Sequence, residues 1–461
     1  MRSEQHTICV VGGGFTGIAA AIACLTEIQQ PFRLVVVEAK PSLAQGVAFG
    51  AADPMHLLNV RTRDLSIRAG QPGDFLNWAF RQLDQGENHA DLHDSLAHTF
   101  LPRQLFGEYI RQRFFEALQS RSDVAHRIVH KTATSCVAED GRFRIHFADG
   151  TDVHANIMIL ATSFGLPRDV SAGALPAYEP IASERYRKAK SIAFLGSGQT
   201  MVDGLLTARR NGFAGNAVAI SRRGQLPRPH APRGVVPQKI ELPPFKKISS
   251  FTQAVRIACE YAEMSGVPWQ AVFNGLRPRL QSLWQSVPLE EQRRFLRHVR
   301  PFWDAHRHRL PLEVHERLAA ELTAGTLKIE RGRVLTTRQA DGAFTATFHR
   351  VGMTKPSTVT FDLAFDCTGH VPHLQSPLIG SLIRQRLAQV DPHALGLVIK
   401  PNGELVSALR PSNKSRIFAL GPLSQGTLWE IIAVPEIVAQ ARRAAQEMAG
   451  LLGGQTSARV A

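Results

Sequence analysis

The chain has 461 residues, 44% of them hydrophobic, which leaves room for two or three domains around a large core and excludes a disordered polymer. Its formal net charge of +15 draws phosphate-bearing cofactors and acidic ligands, or else serves only as a solvated basic surface. No apolar run is long enough for a membrane span, the polar stretch before the first strand leaves no room for a leader, and no zinc-finger, RNA-binding or zipper pattern occurs. A cytoplasmic protein without specific nucleic-acid binding is therefore expected.

In chain order, residues 7–38 read as strand, glycine turn, helix and strand. The helix is expected over Gly17–Gln29, and the second strand, Arg33–Val37, ends at Glu38. Residues 46–75 are broken by Gly46, Gly50, Pro54, Gly70 and Pro72 and read as loop. Helices are expected at 73–83 and 104–119. Residues 143–161 read as an antiparallel pair turning at Asp149-Gly150, its second run ending at Ile157–Ala161. A second strand–turn–helix opens at Ser191 and continues to a strand at Ala217–Ile220. A Pro-rich connector covers 226–244. Residues 249–323 read as basic helices with Trp269, Trp284 and Trp303 as core anchors. Strands resume near 328–366, a strand at Ser415–Leu420 leads to Gly421, and a last helix is expected over 427–449.

The first turn reads Val11-Gly12-Gly13-Gly14-Phe15-Thr16-Gly17. In this pattern Gly12 makes the tight turn, Gly14 lets a pyrophosphate approach the backbone, and Gly17 lets helix and strand pack closely. The phosphates then face the free N–H groups of the helix start. Glu38 stands where a carboxylate accepts the ribose hydroxyls and repels a 2′-phosphate, so this site is expected to prefer FAD or NAD over NADP. The second turn reads Leu195-Gly196-Ser197-Gly198-Gln199-Thr200-Met201, with Met201 in the third glycine position and a helix expected to sit less tightly. At the end of the following strand, Ser221-Arg222-Arg223 replaces the acid. Two guanidinium groups suit a 2′-phosphate, so NADPH is expected here; the alternative is a basic loop that only aids solubility.

These residues resemble the flavoproteins with two dinucleotide-binding domains, which include glutathione-reductase-like enzymes and flavin monooxygenases. Within them the chain is similar to a bacterial family of FAD/NAD(P)-binding proteins. The segments that carry this are Gly46-Val47-Ala48-Phe49-Gly50, His56-Leu57-Leu58-Asn59-Val60, Leu101-Pro102-Arg103 with Phe106-Gly107-Glu108-Tyr109, Pro227-Arg228-Pro229-His230, the run Trp303–Arg309, and Gly426–Glu430 with Ala433–Ile437. The resemblance implies that Asn59 and Arg103 lie near the flavin or substrate, unless they only satisfy backbone carbonyls. Ala161-Thr162-Ser163 stands where the superfamily has Ala-Thr-Gly. Asp366-Cys367-Thr368-Gly369-His370 is similar to a segment of N-hydroxylating monooxygenases, which places Thr368 and Gly369 at the cofactor. Gly421-Pro422 stands where a Gly-Asp usually binds the ribityl chain. Gly421 and a helix start at Gly426-Thr427 are expected to approach the flavin pyrimidine ring.

The expected architecture is α/β, with two Rossmann-like dinucleotide-binding domains, the second interrupted by a helical insert. The FAD-binding domain takes residues 1–188 and 366–461, the NAD(P)-binding domain 189–240 and 324–365, and the basic helical insert 241–323. The expected activity is that of an FAD-dependent, NADPH-using oxidoreductase. Its first form is a flavin monooxygenase acting on a small molecule; the others are an NADPH-dependent reductase of a quinone or protein partner and a non-catalytic redox sensor whose basic insert docks an acidic partner. A disulfide reductase needs a paired cysteine motif, and the five cysteines are scattered. His298, His306 and His308 do not have ligand spacing on a helix, and no metal is expected. Arg307, Arg309 and their neighbours are expected to shape a mouth for an anionic substrate or cofactor. No catalytic acid or base and no oligomeric state follow from the sequence.

Overall fold

The computed structural model describes residues 5–50, 53–83, 89–163, 172–231, 235–242, 245–369, 374–407 and 415–457. His370, parts of the Pro-rich connector at 232–234 and 243–244, and the stretch 164–171 lie outside them. The chain forms two compact units. The first comprises residues 1–52, 60–166 and 371–461; the second comprises 53–59 and 167–370.

In the first unit β1 (Thr7–Val11) leads into α1 (Phe15–Glu27) and β2 (Arg33–Val37). All five residues of β1 are buried, the pattern of an interior parallel strand covered on both faces. Helix α1 is rich in Ala, Ile and Leu and stops at Ile28, three residues before Pro31. Helices α2 (Asp74–Leu83), α3 (His89–His98) and α4 (Arg103–Gln119) follow, then β3 (Ala125–Val129). Next come β4 (Ala133–Glu139), β5 (Arg142–Phe147), β6 (Asp152–Ala155) and β7 (Ile157–Leu160). The run expected as one partner of an antiparallel pair is thus two strands. β6 pairs antiparallel with β5, whereas β7 pairs parallel with β1. The chain changes sheet at Asn156, whose side chain accepts the N–H of Thr7 at 2.9 Å.

The second unit opens with β8 (Leu175–Pro176) and α5 (Ser183–Lys188), then β9 (Ser191–Leu195), α6 (Gln199–Arg210) and β10 (Asn216–Ser221). A helical region follows: α7 (Ile248–Met264), α8 (Gln270–Leu276), α9 (Leu280–Ser286), α10 (Leu289–Arg294), α11 (Arg300–Arg307) and α12 (Leu312–Thr323). Strands β11 (Leu327–Ala340), β12 (Ala343–Arg350), β13 (Ser357–Phe361) and β14 (Leu363–Asp366) complete a seven-stranded sheet in the order β13-β12-β11-β10-β9-β14-β8. Trp284 and Trp303 are buried in the helical region and Trp269 is half-buried.

Back in the first unit, α13 (Pro377–Arg384), β15 (Arg416–Ala419) and α14 (Val434–Ser457) close the fold, and the parallel sheet runs β15-β7-β1-β2-β3. The last helix starts at Val434, not at 427. Glu430 holds a left-handed φ of 68°, which breaks any helix upstream, and Pro435 fits the first turn that follows. No helix of the described residues is long and apolar enough to cross a membrane.

The unit boundaries differ from the expected ones in three places, each for a reason of pairing. Residues 172–188 belong to the second unit because β8 pairs with β14. Residues 366–369 belong there because β14 runs parallel to β9. Residues 53–59 belong there because the segment is tied to α6. Asp53 accepts from Arg210 at 2.7 Å, and the N–H of Asp53 donates to His56 Nδ1, leaving Nε2 to donate towards Thr207 Oγ1 and the Asp203 carbonyl at 2.9 and 3.1 Å.

Candidate functional site

The two glycine turns have the same backbone. Gly12 N–H donates to the Val37 carbonyl and Gly196 N–H to the Ile220 carbonyl, both at 2.8 Å, so each turn is hung from the next strand. Gly12 has φ 109° and Gly196 φ 122°, a region closed to most side chains. A Cβ on Gly12 would sit 2.4 Å from the Ala161 carbonyl oxygen, and one on Gly196 2.2 Å from that of Cys367. The third segments also match: Ala161 N–H donates to Val11 and Cys367 N–H to Leu195, each at 2.8 Å. Ser163, in the position of the usual glycine, takes φ 55°, and Gly369 takes φ 87°.

In the first unit the glycine turn opens on α1, whose N-cap, Gly14, makes no side-chain cap. The N–H groups of the first turn are therefore available to an anion. Gly14 faces Gly46, and a Cβ there would lie 3.5 Å from the Gly46 Cα and 3.9 Å from its backbone N, so two glycines line one side of the opening. Gly17 packs so closely that a Cβ would lie 1.7 Å from the Gly12 carbonyl oxygen. Thr16 is buried and lies against Gly421. Glu38 Oε2 accepts the Gly13 N–H at 2.7 Å and Oε1 that of Lys40 at 3.0 Å, so the carboxylate is fixed at the turn by two backbone donors. Phe15 packs on Phe49 and Phe106 with centroids 5.8 and 6.2 Å away, which joins the Gly46–Gly50 turn and α4 to the first turn of α1. Arg103 begins α4 and is half-buried.

Gly421 is placed by a residue that the sequence reading missed. Gln440, fully buried on α14, accepts the Gly421 N–H at 2.8 Å and donates to Ser424 Oγ at 3.0 Å; Ser424 in turn donates to the Gly421 carbonyl at 2.7 Å. A glutamine on the apolar face that carries Ile437, Ala441 and Ala444 was the available signal. Gly426 and Thr427 lie in a turn, with Thr427 N–H donating to Ser424, and not at a helix start. Their N–H groups therefore do not form the helix-terminus site expected of them.

In the second unit α6 likewise starts on an N-cap, Gly198, without a side-chain cap, and among the described residues a Cβ on Gly198 would meet no atom beyond its chain neighbours within 4 Å. The helix is not loosely held. Met201 is buried in the core with Phe194, and close approach moves one turn on to Gly204, where a Cβ would lie 2.9 Å from the Phe194 ring. Ser197 Oγ lies 2.8 Å from Ser221 Oγ and donates to the Gln225 carbonyl, and Ser221 Oγ accepts the Gly224 N–H at 2.9 Å. This leaves Arg222 and Arg223 exposed at the strand end. Thr200 lies in the first turn of α6. Thr368 is exposed beside the second turn, its N–H and hydroxyl held by Asp366 Oδ1 at 2.9 and 2.6 Å. Thr368 and Gly369 therefore belong to the second cradle, because β14 ends next to β9.

Several of the resemblance segments converge in this unit. Asn59 donates to Gln199 Oε1 at 3.0 Å, and the His230 imidazole N–H donates to the Asn59 carbonyl at 2.8 Å. Gln199 donates to the Arg309 carbonyl at 2.8 Å. Arg309 itself is buried, donating to Asn274 Oδ1 at 2.6 Å with its guanidinium 5.7 Å from the Trp269 ring. It is a packed residue of the helical region rather than part of an open mouth for an anion. Cys9, Cys24, Cys136 and Cys367 are buried free thiols, and burial pushes Cys24 and Cys136 up to about 12.

Two glycine cradles of one geometry, each at the carboxyl ends of parallel strands, define the fold of the flavoproteins that carry two dinucleotide-binding domains. Residues 9–165 match a family model described as FAD-NAD(P)-binding. Among solved structures, the ornithine N-hydroxylase of Kutzneria sp. 744, in a complex with reduced FAD, NADP+ and L-ornithine, superposes with a TM-score of 0.65 at 14% identity, covering 98% of this chain and 100% of that one. The reduced ornithine hydroxylase of Pseudomonas aeruginosa gives 0.62 at 16% identity over 97% and 100%. A bacillithiol disulfide reductase from Staphylococcus aureus gives 0.57 at 12% over 97% and 99%. No curated protein matches the chain by sequence.

Proposed function

We propose that this protein is an FAD-dependent oxidoreductase that draws electrons from NADPH and oxygenates a small molecule. The observation that carries the reading is the pair of matching turns with opposite charge at the strand end: fixed Glu38 in one, exposed Arg222 and Arg223 in the other. A carboxylate at that position accepts ribose hydroxyls and disfavours a 2′-phosphate, while guanidinium groups favour one. Gly12, Gly13 and Gly14 would cradle the FAD pyrophosphate against the N–H groups of Phe15, Thr16 and Gly17, and the Gly421 backbone, held by Gln440, would flank it. Gly196, Ser197, Gly198 and Thr200 would do the same for NADPH, with Thr368 and Gly369 beside them. Bound flavin would supply two-electron transfer and reaction with oxygen, one oxygen atom going to the substrate and the other to water. Asn59, Gln199 and His230 would fix polar groups near the nicotinamide half, and Arg103 would do so in the first unit.

Oxygenation is favoured over thiol chemistry because four of the five cysteines are buried free thiols, two of them pushed up to about 12. The FAD-NAD(P)-binding match and the folds of ornithine hydroxylases support the same reading at the level of fold. The test is to purify the protein with its flavin and follow NADPH and NADH consumption, oxygen uptake and product mass with a panel of small amines and other substrates. NADPH consumption coupled to oxygen incorporation is expected. Consumption stimulated by quinones without incorporation would make it a reductase, and a yellow protein that consumes no NADPH would make it a sensor.

A further inference from the structure

The helical region of the second unit holds a cavity of about 310 Å³ that neither glycine cradle uses. Its floor is a run of touching rings. Phe251 and Phe273 lie 6.1 and 5.2 Å from Trp303, and Phe273 stacks on His306 at 5.6 Å with planes 16° apart. Trp269 closes the run, edge-on to both Phe273 and His306 at 5.4 and 5.0 Å. Helix α7 contributes Phe251, Val255 and Cys259 to the lining, with the exposed Arg256 and Glu263 at its rim. Residues 252, 255, 256, 259 and 263 recur at the helical period, so one face of α7 lines the opening.

Among the described residues the lining itself balances one cation, Arg256, against one carboxylate, Glu263, with Glu260 also acting on Cys259; further cations stand behind the rings. Arg256 is on the rim, Arg309 stands over the Trp269 ring, and Arg228 and Arg309 both act on His306. Burial and these two cations hold His306 below its ordinary range, so the ring is a neutral aromatic surface at pH 7. Glu263 is the single carboxylate of the lining. The volume lies at the small end of ligand pockets and fits one or two rings rather than a peptide.

We propose that this cavity is a binding site for a planar aromatic carboxylate, its ring packed among Trp303, Phe273 and His306 and its carboxylate on the Arg256 guanidinium. The tilted rings supply apolar area and offset or edge-to-face contacts. The fork at Arg256 supplies a charge-assisted hydrogen bond to the ligand carboxylate. The site stands apart from the FAD and NADPH reading and does not depend on it.

Cys259 gives the experiment a handle, because it is half-buried in the cavity wall while the other four cysteines are buried. The purified holoprotein is titrated with 2-naphthoate, 2-naphthylmethanol and 2-naphthylmethylammonium. Two signals are followed: quenching of tryptophan fluorescence and the rate of Cys259 alkylation by N-ethylmaleimide. Naphthoate is expected to quench saturably and to slow alkylation at the same concentration. Arg256→Gln, an exposed change on a helix, is expected to weaken naphthoate about tenfold or more, the worth of a hydrogen bond to a charged group. The neutral alcohol is expected to bind the native protein about as weakly as naphthoate binds that variant. Three results would overturn the proposal. Naphthoate leaves both signals unchanged; the alcohol binds as well as naphthoate and Arg256→Gln has no effect, which marks a mere apolar gap; or the ammonium probe binds best and Glu263→Gln abolishes it, which marks a cation site.

Discussion

The two glycine turns differ where the ligand's identity is decided and agree where the backbone is. Both hang from the next strand by a 2.8 Å hydrogen bond, and both press a glycine against a neighbouring carbonyl. In the first unit the helix is locked onto its strand at Gly17, inside the turn itself; in the second the lock lies a turn later at Gly204, and Met201 fills the vacated position from the core side. The turn is therefore a backbone device that tolerates variation in packing. The choice of partner rests on Glu38 and on Arg222 with Arg223, side chains outside the glycine pattern.

The sharpest way to break the comparison is to add one methyl group to each turn. Gly17→Ala should destabilise the first unit by about 3 kcal/mol or more and abolish flavin retention, because its Cβ lands on the Gly12 carbonyl. Gly198→Ala should leave the melting temperature nearly unchanged, since among the described residues no atom beyond its chain neighbours lies within 4 Å of the added Cβ, but raise KM for NADPH roughly tenfold by filling space meant for a phosphate. Melting curves, flavin absorbance and steady-state kinetics read out both. Next in size, the Arg222→Ala/Arg223→Ala pair should lower the ratio of kcat/KM for NADPH over NADH by about 10- to 100-fold, with flavin content intact. Equal losses with both nucleotides would remove the proposed role of the arginines. Gly204→Ala should cost about 1 kcal/mol in urea unfolding, the clash with Phe194 being partly offset by helix propensity. Smallest of all, Ser163→Gly should shift stability by less than about 1 kcal/mol, because relief of the left-handed φ is balanced by the freer unfolded chain. Ser163→Val should be the worse of the two in the same assay.

Much of the first cradle was legible because its signals are local. A buried β run, three glycines and a carboxylate about 20 residues on fix one βαβ unit through short-range geometry alone. The second cradle was legible for the same reason up to Ser221. The antiparallel reading of 143–161 failed because an apolar run does not reveal which sheet it joins; Asn156 lets the chain change sheets there. The helix expected from residue 427 failed because a positive φ at Glu430 leaves no mark in composition.

By itself the sequence determined the two strand–turn–helix units, the charge at each strand end and the scatter of the cysteines, because each is set by residues near one another in the chain. Tertiary structure alone decided that residues 53–59 and 366–369 go with the second unit, that Gln440 carries Gly421, and that Asn59, Gln199 and His230 meet. Those outcomes depend on strand order and on hydrogen bonds between residues far apart in the chain, for which a one-dimensional pattern holds no record.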